Sequence, residues 1–475
     1  MKSDKRNSSM QHKVKCIHFV GIGGIGMSGI AEVLVNLGYN ISGTDVQRSE
    51  MTKRLQKLGA HVVIGHAAEN VGNADVVVTS TAVKTNNPEV MEAHRRGVPV
   101  IPRAEMLAEL LKMKFSIAVS GSHGKTTTTS MISTILARGG LDPTMVIGGK
   151  LASIGSNARL GDGEVIVAEA DESDGSFLKL SPTIAVITNI DREHLDFYAD
   201  ITEIKEAFLK FANIVPFYGC TVICNDNIYV QEIAPLIKRR MITYGIESPA
   251  DYSAREIKFL KRKTSYTLVY KETVLGKIEL TVPGMFNVYN SLAAIAVARE
   301  LSLDPATIKK GLQSFSGVQR RMEVKGRVNN ITVVDDYGHH PTEIKETLTA
   351  MRQIWKDRLI VVFQPHRYSR TKALFDEFTK AFRNVDILII NDIYPASEEP
   401  IAGINSAALC EAIRQTGQQH VKYISHAENI IKYLLKTVKE KDVVLTLGAG
   451  SIYKIGENFL KQLRTGKIKI NDRQK

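Results

Sequence analysis

The feature that most constrains this sequence is a short glycine-rich loop between an apolar, strand-like run and a helix-like run. The loop consists of Gly121, Ser122, His123, Gly124, Lys125, Thr126 and Thr127. Glycines allow successive N–H groups to point towards phosphate oxygens, and a helix N-terminus adds partial positive charge. In such a loop the lysine reaches the β- and γ-phosphates and the threonine hydroxyl contacts a magnesium ion. The loop therefore predicts an α/β protein that uses ATP.

The spacing of this loop departs from the standard phosphate loop. The standard pattern is G-x-x-x-x-G-K-[ST], whereas the residue five positions before Gly124 is Val119. The loop is thus the shorter pattern G-x-x-G-K-T. A chance Gly-Lys-Thr in a surface loop is the alternative. The preceding strand and the following helix favour a phosphate site, because that context is what the motif requires.

Acidic residues follow the next predicted strand, which spans residues 164–168. Glu169 comes directly after it, and Asp171, Glu172 and Asp174 follow. The carboxyl ends of parallel strands face the ligand crevice, and magnesium prefers oxygen ligands. Glu169 is therefore the first candidate metal ligand and Glu172 the second. The alternative is a solvated acidic turn.

A second glycine loop near the start of the chain fits the pattern G-x-G-x-x-G between a strand and a helix. Its glycines are Gly21, Gly23, Gly24 and Gly26. Asp45 lies where the ribose-binding acid of a dinucleotide fold would sit. This geometry accepts any diphosphate, including the UDP of a nucleotide sugar. An NAD-dependent dehydrogenase is the alternative, and it leaves the first loop unexplained.

Alternating strand and helix patterns repeat in three blocks, which predicts parallel sheets covered by helices. The predicted fold class is α/β, with a Rossmann-like N-terminal domain, a central P-loop ATPase-like domain and a C-terminal Rossmann-like domain. Residues 264–280 alternate and predict a small antiparallel sheet in the central domain. The predicted domains are 1–107 for UDP, 108–317 for ATP and 318–475 for the amino acid.

Composition narrows the class of protein further. No stretch approaches the roughly 18 apolar residues of a membrane span, and the polar N-terminus lacks the apolar core of a signal peptide, so we expect a cytoplasmic protein without membrane insertion. The net charge of +12 makes a nucleic-acid-binding protein an alternative, but no recognition module is visible. Cys220 and Cys224 are read as buried apolar residues, with a metal clip as the alternative.

Polar side chains also follow two strands of the third block. One group spans residues 335–343 and contains two aspartates, a tyrosine and two histidines, and the other spans residues 364–370. Polar groups at strand ends are what a crevice-facing site needs. Two polar loops with helix-capping residues are the alternative.

Together these motifs resemble the Mur ligases, the ATP-using enzymes that form amide bonds in peptidoglycan synthesis. The resemblance covers nearly the whole chain and rests on the two glycine loops and on residues 169–174, 189–196, 283–290, 320–321, 336–343 and 364–370. The short phosphate loop marks the superfamily, which also includes folylpolyglutamate synthases. The string Asp-Tyr-Gly-His-His-Pro-Thr-Glu at 336–343 is typical of the members that add L-alanine.

The resemblance implies a role for each group of residues. ATP binding is expected from loop 121–127 and from Asn287, Asn290, Arg321 and Asp336. Metal binding is expected from Thr126, Glu169 and His194. The UDP-sugar is expected at Gly21, Gly23, Gly24, Gly26, Met27, Ser28, Asp45, Ser156, Asn157 and Arg159. The amino acid is expected at Tyr337, His339, His366 and Arg370, and catalysis is expected from Lys125, His339, His366 and Arg370.

The resemblance also implies the reaction. UDP-N-acetylmuramate, L-alanine and ATP are the expected partners, with Mg²⁺, or Mn²⁺ in its place, as the metal. The lactyl carboxylate would be activated as an acyl phosphate and then attacked by the amine of alanine. A Mur-type ligase for another amino acid is the nearest alternative, because the sequence does not distinguish L-alanine, glycine and L-serine. We expect a monomer or a dimer.

Overall fold

The computed structural model describes residues 10, 13–80, 82–151, 156–260 and 263–465, with only the main chain given for 149–151 and 156. These residues form sheets of five, ten and six strands, in that order along the chain. The prediction of three α/β units is therefore confirmed. Within the described residues, no helix is both long and apolar enough to cross a bilayer.

The first sheet is entirely parallel, with strand order β3-β2-β1-β4-β5. This is the order of a doubly wound fold without its sixth strand, and it places the turn after β1 at the point where the strand order reverses. The strands are β1 (Cys16–Val20), β2 (Asn40–Asp45), β3 (His61–Ile64), β4 (Val76–Thr79) and β5 (Val100–Pro102). The helices are α1 (Ile25–Asn36), α2 (Glu50–Lys57), α3 (Pro88–Arg96) and α4 (Arg103–Lys112), with a 3₁₀ turn at Ala68–Val71.

The second sheet is parallel in its middle and antiparallel at both edges, with order β15-β14-β13-β12-β11-β10-β6-β9-β7-β8. Its strands are β6 (Phe115–Ser120), β7 (Thr144–Leu151), β8 (Ser156–Arg159), β9 (Val165–Glu169), β10 (Ile184–Ile187), β11 (Cys220–Cys224), β12 (Met241–Gly245), β13 (Tyr252–Leu260), β14 (Lys263–Tyr270) and β15 (Thr273–Leu280). Its helices are α5 (Lys125–Arg138), α6 (Ile201–Ile214), α7 (Ile228–Ile233), α8 (Met285–Glu300) and α9 (Pro305–Ser314), with 3₁₀ turns at Ser176–Lys179 and Ala234–Leu236. The predicted antiparallel sheet is present as β13, β14 and β15.

The third sheet is parallel except for its first strand, with order β16-β17-β21-β18-β19-β20. Its strands are β16 (Glu323–Val328), β17 (Ile331–Asp336), β18 (Leu359–Phe363), β19 (Ile387–Ile390), β20 (Val421–Tyr423) and β21 (Val443–Leu447). Its helices are α10 (Pro341–Ile354), α11 (Tyr368–Ala373), α12 (Phe375–Thr379), α13 (Ser406–Gln415), α14 (Ala427–Thr437) and α15 (Tyr453–Arg464).

Local sequence signals explain where several helices begin. The side chains of Asn87, Asp200 and Asp304 accept hydrogen bonds from the first free N–H groups of α3, α6 and α9. Proline occupies the first turn of α3 and α9, where its missing N–H costs nothing. These caps satisfy N–H groups that have no partner within the helix, and so determine where each helix begins.

The two cysteines of β11 are free thiols, and both are buried. They are the first and last residues of a five-residue strand, so about 13 Å separates them at the usual rise per residue. One metal ion cannot bridge that distance. Cys220 and Cys224 are therefore packing residues, as the sequence favoured.

A buried carboxylate ties the first domain together. Glu89 on α3 is fully buried and accepts hydrogen bonds from Thr44 on β2 at 2.7 Å and Asn70 at 3.0 Å. The imidazole of His18 on β1 lies 3.5 Å away. Burial alone would raise the pKa of Glu89, but these partners lower it to about 2.

This network predicts a pH-dependent stability of the first domain. Because the folded pKa of Glu89 lies below its usual 4.5, its contribution is complete above that value and disappears as the pH falls towards 2. The shift corresponds to about 3 kcal/mol. We expect Glu89→Gln to lower the melting temperature clearly at pH 7 and much less at pH 2.5. The exposed Glu50→Gln should change little at either pH, and an equal loss at both pH values for Glu89→Gln would contradict the network.

Candidate active site

The phosphate loop joins the end of β6 to the first turn of α5, as predicted. Gly121 has a φ of +132° and Gly124 a φ of +83°, both in the region that favours glycine. A Cβ added to Gly124 would lie 2.5 Å from Oδ1 of Asn290, and one added to Gly121 would collide with the Thr188 hydroxyl. The loop therefore requires these two glycines both for backbone conformation and for space.

Gly124→Ala should weaken ATP binding by at least about tenfold, which corresponds to about 1.4 kcal/mol. The added methyl group would displace Asn290, which accepts a hydrogen bond from Thr128 at 3.2 Å. Gly140→Ala is the matched control, because Gly140 has a φ of +79° with nothing within 4 Å of its added Cβ. The two variants share the backbone strain, so an ATP titration isolates the steric effect. Equal affinity in both variants would contradict this role of Gly124.

Lys125 lies at the centre of the loop and is largely buried. Its ammonium donates to the carbonyl oxygen of Gly121 at 2.6 Å and to Oε1 of Glu172 at 2.6 Å. Burial disfavours the ammonium, but the carboxylates of Glu172, Glu169 and Glu193 raise the pKa of Lys125. The lysine is therefore charged, and it is held where the strand ends meet.

The predicted metal ligands lie around this lysine. The Thr126 hydroxyl donates to Oε2 of Glu169 at 2.9 Å, and the same oxygen accepts the Gly148 N–H at 2.7 Å. Nε2 of His194 lies 3.3 Å from Oε1 of Glu172. Burial raises the pKa of Glu169, so its carboxylate gains from a nearby cation. The hydroxyl and the carboxylate beside the phosphate loop are oxygen donors of the kind that magnesium takes, and the His194 imidazole lies nearby at Glu172.

A cavity of about 400 Å³ opens beside the loop, between the central and C-terminal domains. Of the residues predicted to bind ATP, it is lined by His123, Gly124, Thr127, Asn290, Arg321 and Asp336. Asn287 instead lines a neighbouring cavity of about 380 Å³ near residues 315–324, and its amide donates to the Pro283 carbonyl at 2.6 Å.

Several lining residues of the larger cavity were not identified from the sequence. They include Asp226, Asn227, Tyr244, Phe286 and Tyr289. Tyr289 donates to Oδ2 of Asp226 at 2.9 Å across 63 positions of sequence. Phe286 and Tyr289 belong to the segment 283–290 that carried the family resemblance, so that motif was the available signal for them. Asp226 and Asn227 had none.

Residues of the C-terminal domain meet the central domain at Glu193. Nε2 of His339 lies 3.5 Å from Oε1 of Glu193, and the Arg370 guanidinium donates to the same oxygen at 3.3 Å. Burial would raise the pKa of Glu193, but His339, His194 and Arg370 hold it well below its usual range. Arg370 also contacts Nδ1 of His366 at 3.1 Å. The sequence did not single out Glu193, although it lies beside His194 in the segment 189–196.

The remaining predicted residues of this domain lie close by. Burial raises the pKa of Asp336 to about 6, and its Oδ2 accepts the Met322 N–H at 2.7 Å. The guanidinium of Arg321 stacks on the Tyr337 ring, 5.4 Å from its centroid. Burial and the nearby His339 lower the pKa of His366 to about 3, so His366 is a neutral imidazole at pH 7.

The N-terminal glycine loop faces the central domain. Oδ2 of Asp45 accepts the Gly23 N–H at 2.8 Å, so this carboxylate holds the loop itself. The Asn157 amide donates to the Ser28 hydroxyl at 3.3 Å and joins β8 to the first turn of α1. Met27 is buried in α1, whereas Arg159 pairs with Asp142.

Other residues also shape the N-terminal glycine loop. Gly21 and Gly24 form its turn, with the Gly24 N–H donating to the Gly21 carbonyl at 3.2 Å. The side chain of Ser156 lies outside the described residues. Arg103, which the sequence did not single out, fills the space where a side chain on Gly26 would lie and pairs with Asp171 at 3.2 Å.

The structure has a phosphate loop beside an acidic strand end, and a separate glycine loop on a neighbouring sheet. These features define a multidomain nucleotide-binding protein. Three family models match the chain: "Mur ligase family, catalytic domain" over residues 16–115, "Mur ligase middle domain" over 119–298 and "Mur ligase, glutamate ligase domain" over 320–450. The chain belongs to the Mur ligase family.

Individual relatives are similar over nearly their full length. The UDP-N-acetylmuramate–L-alanine ligase of Syntrophus aciditrophicus is 63% identical over 464 residues, covering 98% of this chain and 97% of the relative. The ligase of the same name from Geotalea uraniireducens is 59% identical over 96% of this chain and 99% of its own. The crystal structure of the Thermotoga maritima UDP-N-acetylmuramate-alanine ligase has a TM-score of 0.81 at 30% identity, covering 96% of this chain and 100% of that one.

Proposed function

We propose that this protein joins L-alanine to the lactyl carboxylate of UDP-N-acetylmuramate, with cleavage of ATP to ADP and phosphate, in peptidoglycan synthesis. The observation that carries the proposal is the set of contacts that join the three domains around the phosphate loop. Lys125 pairs with Glu172 within the central domain, Arg370 and His339 of the C-terminal domain pair with Glu193, and Asn157 of β8 ties the first turn of α1, after the N-terminal glycine loop, to the central domain. The 63% identity to a ligase of this name supports the choice of substrates.

A carboxylate does not react with an amine directly, because hydroxide is a poor leaving group. In the first step a lactyl carboxylate oxygen attacks the γ-phosphorus of ATP, the bond to the bridging oxygen of ADP breaks, and an acyl phosphate forms. Phosphoryl transfer needs positioning and charge neutralisation from the protein. Lys125, at the N-terminus of α5, neutralises charge on the β- and γ-phosphates. Arg370 of the C-terminal domain supplies a second positive charge.

Magnesium fits beside these groups, because Thr126, Glu169 and His194 offer suitable donors around the phosphate loop. When bound, the ion would neutralise phosphate charge and orient the γ-phosphate. Glu172 pairs with both Lys125 and His194, so it holds their side chains in place at the same strand end.

In the second step the amine of alanine attacks the acyl carbonyl carbon, the bond to the phosphate oxygen breaks, and inorganic phosphate leaves. The ammonium form of alanine must first lose a proton. His366 is a weak base, because its pKa is about 3, and its Nδ1 already contacts Arg370. His339 is therefore the better candidate to accept that proton, and Glu193 orients its ring.

The experiment that tests this function is an assay of phosphate release from ATP with UDP-N-acetylmuramate and each amino acid in turn. We expect phosphate release to need both substrates and to be fastest with L-alanine, with glycine and L-serine as the nearest competitors. Product mass should increase by one alanine residue. Faster turnover with another amino acid would reassign the substrate, and phosphate release that does not depend on UDP-N-acetylmuramate would refute the proposal.

A further inference from the structure

A cluster of two histidines and one aspartate lies between the central and C-terminal domains, apart from the proposed magnesium ligands. His123 belongs to the phosphate loop, Asp191 follows β10, and His340 caps α10. Nε2 of His123 lies 3.0 Å from Oδ2 of Asp191, and Nδ1 of His340 lies 3.6 Å from the same oxygen. One ligand atom of each residue lies within 4.8 Å of the others.

We propose that His123, Asp191 and His340 bind a divalent transition-metal ion of the zinc class, which bridges the phosphate loop and the C-terminal domain. Ligand atoms around a tetrahedral zinc ion are about 3.3 Å apart, given zinc–nitrogen and zinc–oxygen distances near 2.0–2.2 Å. The two separations from Asp191 bracket that value. The third edge, between the two imidazoles, is no longer than 4.8 Å and would have to shorten when the ion binds.

The surroundings of the two rings support the same assignment. Metal-binding histidines usually have their second nitrogen held by a carboxylate or a main-chain carbonyl. Nδ1 of His123 is buried without a hydrogen-bond partner, 3.6 Å from Oε1 of Glu343, so a small movement would let this carboxylate hold it and leave Nε2 for the ion. Nε2 of His340 lies 3.3 Å from the carbonyl oxygen of Arg192. Its Nδ1, which faces Asp191, accepts the Thr342 N–H at 3.3 Å, and the ion would replace that long hydrogen bond. Both rings thus present the nitrogen that faces Asp191.

The chemistry of the set selects the ion. Two imidazoles with one carboxylate suit zinc, whereas magnesium prefers oxygen ligands and retains water. The Thr342 hydroxyl donates to Oδ2 of Asp191 at 2.7 Å and would stay in the outer shell. The fourth position faces the 400 Å³ cavity, which His123, Asp191 and Thr342 all line. On binding, the ion displaces the proton that His123 shares with Asp191, and that proton is released to solvent.

The test is zinc binding by the full-length protein without nucleotide, measured by competition with a chromophoric chelator in excess Mg²⁺. We expect one zinc equivalent at this site, and a loss of affinity of at least about tenfold in both His340→Gln and Asp191→Asn. His94→Gln, which removes an exposed histidine of α3, should bind zinc like the wild type. His194→Gln should also retain this site, because His194 belongs to the separate magnesium set.

Two readouts keep the test decisive. Zinc should raise the melting temperature of the wild type but not of His340→Gln, and cobalt should give the strong visible bands of a tetrahedral site only where His340 is present. Melting without metal checks that each variant folds, and if His340→Gln does not fold, Asp191→Asn decides the outcome. Unchanged zinc affinity in a folded His340→Gln or Asp191→Asn variant, or loss of affinity in His194→Gln, would overturn the proposal. Neither result depends on ligase activity, so the proposed function is tested separately.

Discussion

Lys125→Ala should lower kcat for ATP-dependent ligation by about a thousand-fold, the upper end of what one preorganised charged donor contributes to a transition state. The physical reason is the position of the Lys125 ammonium group. It lies at the N-terminus of α5, with its charge favoured by four nearby carboxylates, and it is the only lysine or arginine side chain in the loop 121–127. Phosphate release in the presence of all three substrates, measured under saturating conditions, gives this number directly.

The fold should survive the change. Lys125 donates to the Gly121 carbonyl and to Glu172, and after its removal Glu172 keeps His194 and the Ser120 hydroxyl, both at 3.3 Å, as partners. Circular dichroism and melting should therefore show a folded variant. Lys112→Ala is the control, because Lys112 is an exposed lysine that pairs with Glu109 on α4, and its kcat should be unchanged. A folded Lys125→Ala variant with near-normal kcat would remove the phosphate loop from the mechanism.

The parts of the site that were predictable from the sequence are those encoded locally. The loop at 121–127 lies between a buried strand and a helix, and the glycines that it needs are close together in sequence, so the sequence pattern predicts the geometry. The same holds for Glu169, which is the last residue of β9 and reaches the crevice because parallel strands end there. The order of strands and helices was predictable for the same reason, because the spacing of apolar residues repeats over short distances within each block.

Contacts between domains were not predictable, because they join residues that are far apart in sequence. Arg370 reaches Glu193 across 177 positions, and Thr342 reaches Asp191 across 151. Considered alone in the sequence, each of these residues is equally compatible with an ordinary polar side chain on the surface. The family resemblance identified Arg370, but its partner Glu193 emerged only when the C-terminal domain was seen packed on the central one.

Backbone strain, like the contacts between domains, was not predictable from the sequence. His194 has a φ of +57° and Arg367 a φ of +70°, a backbone region that residues other than glycine rarely adopt. No local sequence motif predicts such a conformation, because the surrounding structure imposes it. Such strain concentrates at functional sites, and here it turns His194 towards Glu172 and accompanies the reach of Arg367 to Asp196 at 2.6 Å. A lone histidine in the sequence therefore said little about its role.

Glu169→Gln is the second change with a large expected effect. The glutamine keeps the size of the side chain but removes the negative charge that a magnesium ion would meet beside the Thr126 hydroxyl, so we expect kcat to fall by about a hundred-fold or more. The apparent magnesium requirement should rise as well, because a neutral amide oxygen is a poorer ligand for a hard cation. Magnesium titrations of both phosphate release and ATP binding would separate the loss of metal affinity from a loss of chemistry.

Glu164→Gln is the matched control, because Glu164 is exposed and precedes the first residue of the same strand, whereas Glu169 ends it. Both changes remove one carboxylate from the same part of the central domain, so any effect of net charge on ATP binding is shared. Only the Glu169 variant should need more magnesium, since only that carboxylate faces Thr126 and the phosphate loop. The same magnesium dependence in the two variants would show that the end of β9 holds no metal. Lys125 and Arg370 alone would then neutralise the charge of the phosphates.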